Sequence, residues 1–206
     1  MSPAPAAARR LWLVRHGETE GQSSIRFHGS NDVRLSDVGR AQIRALAPLL
    51  AGVDFARVVH SPLQRAAESA AILAGLCGVP AARVQTEERL REISFGACEG
   101  MTEAEIAAAF PDFWRSYQGG GVDTFPDGEP RQAFVARVRA AVLELAAAPW
   151  HGDLLVVSHR GTTRQMLRAL LAVPAGGADA FGVELGSVTT VRHAGQWQIE
   201  ALGLLP

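Results

Sequence analysis

The chain has 206 residues, 48% of them hydrophobic, and a formal net charge of −1. This length fits a single α/β domain, and the near-neutral charge argues against nucleic-acid binding by bulk electrostatics. No apolar run approaches the roughly 20 residues that a membrane-spanning helix needs. Residues 1–10 are mostly small and end in two arginines, so we expect a disordered tail and not a secretory signal. Cys77 and Cys98 fit a reducing compartment, and we expect a cytoplasmic protein with one domain over residues 11–206.

Predicted strands and helices alternate along the chain. Residues 17–35, after a first strand over 11–15, are polar and predict a loop folded over the end of that strand. Further strands are predicted over 56–60, 83–86, 153–158, 186–193 and 196–202, and helices over 36–50, 62–76, 131–147 and 162–171. This alternation predicts a three-layer α/β fold, with a mainly parallel, doubly wound sheet and helices on both faces.

One region departs from the alternation. Thr102 and Glu105 form a capping-box pattern, which predicts the start of a further helix ahead of Phe110. Residues 112–128 contain three consecutive glycines and several aromatic residues. We expect this segment to be a lid or an insertion.

Two of the predicted strands end in a histidine that has an arginine and a glycine beside it. The segments are Arg15-His16-Gly17 and His159-Arg160-Gly161. Because ligands of open α/β sheets bind at the carboxyl ends of strands, we expect the two histidines to meet over one site. A neutral imidazole can act as a nucleophile, an arginine matches phosphate oxygens, and a glycine allows close backbone approach. The pattern is typical of a phosphate site.

Two more segments supply a second arginine and an acid. Ser61 and Pro62 predict a helix N-cap and first turn, which places Arg65 near the positive end of the helix dipole, where anions bind. Glu92 is the candidate proton donor. Three other glutamates compete for that role, namely Glu87, Glu88 and Glu99.

Motifs along almost the whole chain carry a family resemblance. They are Arg15–Thr19, Arg26–Gly29, Leu35–Ser36 with Gly39, Ser61–Ala66, Leu90–Glu92 with Glu99–Gly100, Pro126–Glu129 and Ser158–His159. In these motifs and in their order the chain resembles the histidine phosphatase superfamily, also called the phosphoglycerate mutase-like family. The resemblance is greatest to the short bacterial phosphatases of the α-ribazole phosphatase-like and broad-specificity group.

The resemblance implies a metal-independent phosphomonoester hydrolase that uses no cofactor and acts on a small phosphorylated metabolite. It implies a phosphohistidine on His16, phosphate oxygens held by Arg15 and Arg65, proton transfer by Glu92, and a hydrogen bond from His159 to the phosphoryl group. Further phosphate or substrate contacts are expected from Gly17, Gln22, His28, Gly29 and Arg160.

Three positions depart from the family pattern. Gln22 stands where the family often has asparagine, Pro130 where serine is common, and Arg160 where glycine is usual. Arg160 has two interpretations: it binds an acidic part of the substrate, or it points into solvent.

Two other functions stay open. A phosphoglycerate mutase would use the same residues, but mutases of this family generally carry a longer segment than the one over residues 97–128. A non-catalytic phosphate-binding module would predict loss of His16, His159 or Glu92, and all three are present. The sequence identifies neither the substrate nor the oligomeric state, for which a homodimer is one option.

Overall fold

The computed structural model describes residues 9–174 and 180–206, which form eight strands and seven α-helices. The strands are β1 (Arg9–Arg15), β2 (Arg26–Phe27), β3 (Phe55–His60), β4 (Val84–Thr86), β5 (Met101–Thr102), β6 (Asp153–Ser158), β7 (Val188–His193) and β8 (Trp197–Leu204). The helices are α1 (Asp37–Ala45), α2 (Ala47–Leu50), α3 (Gln64–Leu76), α4 (Glu103–Ala109), α5 (Pro111–Gln118), α6 (Arg131–Ala147) and α7 (Arg160–Leu170). None of the described helices is both long and apolar enough to cross a bilayer.

Six strands form the central sheet in the order β4-β3-β6-β1-β7-β8. The first four of these are parallel, whereas β7 and β8 run antiparallel to their neighbours. Because successive side chains of a strand point to opposite faces, β6 is buried on both. Leu154 and Val156 pack with α6 and α7, and Leu155 and Val157 pack with α1, α2 and α3. The predicted three-layer fold with a mainly parallel sheet is confirmed.

A smaller cluster of side chains lies apart from the two faces of the sheet. β2 and β5 pair as a separate two-stranded sheet, and α4 begins with the predicted capping box of Thr102 and Glu105. The predicted lid segment forms most of α5 and the loop after it. Their aromatic side chains pack together in what we call the aromatic cluster, formed by Phe27, Phe95, Phe110, Phe113, Trp114, Tyr117 and Phe125.

Three of the differences between the predicted and the observed element boundaries change the interpretation of the sequence. β1 begins at Arg9, so Arg9 and Arg10 belong to the sheet and not to a tail; residues 1–8 lie outside the described residues. The helix predicted over 36–50 is divided into α1 and α2, because Pro48 lacks the N–H that a continuous helix would donate to Arg44.

The third difference is the start of α3, which begins at Gln64 and not at Pro62. The Ser61 hydroxyl bonds His159 and caps no helix. Instead, Asp32 Oδ1 of the preceding loop accepts from the Gln64 N–H at 2.7 Å. A distant residue thus replaces the local cap that the sequence predicts.

Candidate active site

His16 and His159 leave the sheet side by side. Arg15 at the end of β1 pairs with Ser158 at the end of β6, so the next residue of each strand emerges at the same place. The His16 N–H donates to the Ser158 carbonyl at 3.0 Å. Both imidazoles are buried, and their ring centroids are 5.1 Å apart. The two strand ends therefore deliver both histidines to one site.

The His16 ring is held in the tautomer that leaves Nε2 unprotonated. Its Nδ1 lies 2.7 Å from the Gly17 carbonyl oxygen, and since that oxygen can only accept, Nδ1 carries the proton. Burial, together with the neighbouring Arg65 and Arg15, holds the pKa of His16 well below its ordinary value. The imidazole is therefore neutral near pH 7, and Nε2 carries the lone pair that attack on phosphorus needs.

Arg65, in the first turn of α3, lies between the two histidines. Its Nε is 3.3 Å from His16 Nε2 and 3.2 Å from His159 Nδ1. The Nη atoms donate to the Asn31 and Gly29 carbonyls, each at 2.7 Å, so the loop holds the guanidinium in place. Burial lowers the pKa of Arg65 to about 10, which leaves it charged at neutral pH. None of the described carboxylates forms an ion pair with it.

Arg15 is a second buried cation with spare donor capacity. Its Nη1 donates to the Val183 carbonyl at 2.8 Å, whereas its buried Nε has no hydrogen-bond partner among the described residues. Burial and the nearby Arg160 lower the pKa of Arg15 to about 10. Since buried donors are almost always paired, an unpaired guanidinium N–H beside two histidines fits an anion-binding site.

Glu92 is buried and lines the same cavity. Its Oε2 accepts from the Gly161 N–H at 2.8 Å, and its Oε1 accepts from the Ile93 N–H at 3.1 Å. Glu99 instead accepts from the Ser30 hydroxyl and the Phe95 N–H, away from the cavity lining. The other candidates form ion pairs with arginines, Glu87 with Arg89 and Glu88 with Arg91. Of the four glutamates, Glu92 alone faces the histidines' cavity.

His159 is oriented by a residue whose role the sequence did not predict. Its Nε2 lies 2.7 Å from Ser61 Oγ, and Ser61 is fully buried. Arg65 Nε can only donate to Nδ1, so Nε2 carries the proton of the neutral ring and donates to Ser61. Because a hydroxyl can also donate, Ser61 would equally support the tautomer with the proton on Nδ1. Burial and the nearby Arg65 hold the pKa of His159 well below its ordinary value. His159 can therefore present Nδ1–H to a bound phosphoryl oxygen when the Ser61 hydroxyl donates to Nε2.

The cavity that these groups share has a volume of about 660 Å³. Arg15, His16, Arg65, Glu92 and His159 form its polar end, and the aromatic cluster contributes part of its wall. Four more arginines line it, namely Arg26, Arg131, Arg160 and Arg164. The cavity thus joins a cationic end suited to a phosphate with a mixed aromatic and basic wall suited to an organic group.

The family model of the histidine phosphatase superfamily, branch 1, matches residues 11–204. The chain belongs to the histidine phosphatase superfamily. It is 32% identical over 198 residues to a glucosyl-3-phosphoglycerate phosphatase of Mycobacterium tuberculosis, covering 92% of this chain and 87% of that protein. It is 35% identical over 184 residues to the adenosylcobalamin/α-ribazole phosphatase of Salmonella typhimurium, covering 86% and 87%.

The solved structures include a mycobacterial glucosyl-3-phosphoglycerate phosphatase with a TM-score of 0.82 and 31% identity, which covers 95% of this chain and 99% of that one. The family, the fold and the phosphatase activity predicted from the sequence are confirmed by these relatives.

The other expected contacts are only partly brought into this histidine phosphatase's cavity. His28 and Gly29 line it, and the Gly29 carbonyl holds Arg65. Gly17 does not line it. A Cβ at Gly17 would lie 2.3 Å from the Gly39 carbonyl oxygen, so its small size lets the loop pack against α1. Gln22 is exposed in a turn with a φ of 61° and is not among the cavity residues.

Arg160 lines the cavity, and its side chain is exposed. The guanidinium of Arg160 forms neither a hydrogen bond nor an ion pair with any of the described residues. No three or more histidine, cysteine or acidic residues of the described ranges are grouped so that they could hold a metal ion. The positive charge of the site comes from arginine side chains.

Proposed function

We propose that this phosphatase hydrolyses phosphomonoesters of small metabolites through a phosphohistidine on His16, without a metal ion. The observation that carries the proposal is the buried imidazole whose unprotonated Nε2 lies 3.3 Å from Arg65 Nε and beside His159, with Glu92 in the same cavity. Attack, charge neutralisation and proton transfer therefore each have a side chain in reach of one phosphoryl group.

Two steps complete the reaction. In the first, the Nε2 lone pair of His16 forms a bond to phosphorus, the ester P–O bond breaks, and the leaving oxygen takes a proton from Glu92. In the second, the Glu92 carboxylate takes a proton from water as its oxygen attacks phosphorus, and the P–N bond breaks to regenerate the neutral imidazole. The Gly17 carbonyl accepts from Nδ1–H throughout and stabilises the positive charge that the ring gains on attack.

Arg15, Arg65 and His159 hold the phosphoryl oxygens in this proposal. A phosphate dianion would offset the two buried guanidinium charges, and the unpaired Arg15 Nε supports a direct contact. The two guanidinium charges supply the stabilisation of negative charge that a metal ion supplies in other phosphatases. Protein dialysed against EDTA should therefore release phosphate at the undialysed rate. Loss of turnover that one added divalent ion restores would overturn metal independence.

The cavity supports a substrate with an organic group beyond a bare phosphate. His28 and Gly29 line the cavity, and the exposed Arg160 at its wall supports a contact with an anionic group of the organic part. The names of the similar phosphatases contain glucosyl-3-phosphoglycerate and α-ribazole, which are organic groups much larger than a phosphate. A screen of phosphorylated metabolites at equal concentration tests this, with phosphate release as the readout.

Hydrolysis is favoured over mutase transfer by the short segment between Glu92 and α6. It forms only the two-residue strand β5, the helices α4 and α5 and the loops that connect them, whereas a mutase must keep water from its phosphohistidine. The free thiols of Cys77 and Cys98 support a cytoplasmic location.

A further inference from the structure

The guanidinium of Arg137, in α6, bonds the backbone of the segment that carries Glu92 and the carboxylate of Glu129. An arginine has five N–H donors. The two on Nη1 donate to the carbonyls of Arg89 and Arg91, each at 2.7 Å. One on Nη2 donates to the Glu92 carbonyl at 3.2 Å. The remaining Nη2 donor and Nε donate to the two carboxylate oxygens of Glu129, each at 2.7 Å.

This arrangement leaves Arg137 with no donor for a substrate. Arg137 is also not among the residues that line the cavity. The guanidinium lies over the ring of Phe134, 4.9 Å from its centroid, and Phe134 is itself a buried cavity residue. A planar cation that is bonded at every donor and stacked on a ring has very little freedom to move.

The three carbonyls that Arg137 binds belong to the turn that points Glu92 into the cavity. Residues 88–90 form a single 3₁₀ turn, and Glu92 follows it without a helix or strand of its own. The hydrogen bonds that the carboxylate accepts from Gly161, Ile93 and the Thr162 hydroxyl orient its end only. Arg137 ties the backbone of this segment to α6 through three hydrogen bonds, whereas α7 contributes one, from the Thr162 hydroxyl to the Arg91 carbonyl at 3.3 Å.

We infer that Arg137, held by Glu129, is a positioning residue for the proton transfer by Glu92. The inference rests on the proposed function, because it takes Glu92 as the acid of that reaction. An ångström-scale displacement of a catalytic group can cost a large factor in rate. Lysine at position 137 keeps the charge but has three donors and no planar fork, so it cannot hold three carbonyls and a carboxylate together.

The test separates positioning of the acid from general loss of structure. An alkyl phosphate leaves as a basic alkoxide and needs the proton, whereas p-nitrophenolate leaves with little help. The ratio of kcat/KM for an alkyl phosphate to that for p-nitrophenyl phosphate therefore reports acid catalysis. It would be measured for Glu92→Gln, Arg137→Lys, the double variant and Arg139→Lys, a matched control at an exposed position of the same helix.

The inference predicts that Arg137→Lys lowers this ratio about 10-fold, in the direction of the Glu92→Gln effect, and that Arg139→Lys leaves it unchanged. In the Glu92→Gln background, Arg137→Lys should cause no further fall, because the group it positions is gone. Glu129→Gln should lower the ratio less, since it weakens the support and keeps the arginine. If circular dichroism shows that Arg137→Lys does not fold, the ratio measured for Glu129→Gln decides the test.

Two results would contradict the inference about Arg137, for different reasons. In the first, folded Arg137→Lys and Glu129→Gln lose activity equally on both substrates, or lose no activity, while Glu92→Gln lowers the ratio. The inference is then wrong and the proposed function stands. If Glu92→Gln leaves the ratio unchanged, the proposed role of Glu92 is wrong, and the inference is overturned with it.

Discussion

The backbone N–H of Gly161 donates to Glu92 Oε2 over 2.8 Å. Because Gly161 lies in the first turn of α7, only two residues after His159, one short stretch of chain positions both the second histidine and the proposed acid. A Cβ at position 161 would lie 2.6 Å from Glu92 Oε1. Only glycine allows the carboxylate to approach this closely.

Gly161→Ala should therefore displace the carboxylate without removing it. We expect kcat/KM to fall about 10-fold more for an alkyl phosphate than for p-nitrophenyl phosphate, because proton transfer suffers and attack by His16 does not. Gly75→Ala is the matched control, since a Cβ at that helical position meets nothing within 4 Å. Equal activity of Gly161→Ala and the wild type on both substrates would show that this close approach is not needed.

Arg160 should affect substrate choice more than the chemical step. The arginine is exposed, so its pairing with a substrate carboxylate is worth on the order of 1 kcal/mol, about 5-fold in affinity. Arg160→Gln should raise KM by that factor for phosphoserine and leave KM for a simple alkyl phosphate unchanged. Steady-state kinetics on the two substrates measure this. KM values that shift together, or not at all, would mean that Arg160 points into solvent in the complex.

The buried histidines should make the fold sensitive to acid. The native pKa of His159 is held well below the ordinary value of 6.5, which the unfolded chain regains. Below pH 6.5 the unfolded state therefore binds a proton that the native state excludes. The free energy of unfolding falls as the pH falls, and this loss is absent above pH 6.5.

Urea unfolding at a series of pH values measures this dependence. The slope of the free energy of unfolding against pH gives the number of protons taken up on unfolding. Just below pH 6.5, His159→Gln should reduce this number by up to about one relative to the wild type. His151→Gln, at an exposed position, is the control variant. A slope that His159→Gln leaves intact would contradict the assignment of a neutral, buried ring.

The sequence predicts those site residues whose position follows from one strand or helix. His16 and His159 come from strands that it identifies within two residues of their bounds, and parallel strands bring their carboxyl ends together. The prediction that Ser61 caps a helix is wrong, because its hydroxyl bonds a histidine 98 positions later. Arg137 gave no signal at all, since the carbonyls that it binds lie in a turn 45 or more positions earlier.

The phosphate contacts of Gly17 and Gln22 stay predictions. They rest on close backbone approach at Gly17 and on the amide of Gln22 at the family's asparagine position, and neither residue lines the cavity. Gly17 packs on the backbone of α1, and Gln22 stands exposed in a turn. Nearness along the chain does not fix which loop residues face a cavity; that depends on the loop's own bonds, such as those from Arg65 to Gly29 and Asn31.

The most direct test is to trap the phosphoryl group on the enzyme. The protein is mixed with a labelled phosphomonoester for less than one turnover and quenched in alkaline denaturant, where a phosphorus–nitrogen bond survives, and the label is mapped by peptide digestion. The account predicts label on His16, and none on the protein when His16→Ala is treated in the same way. Label on another residue, or near-wild-type turnover by His16→Ala, would contradict it.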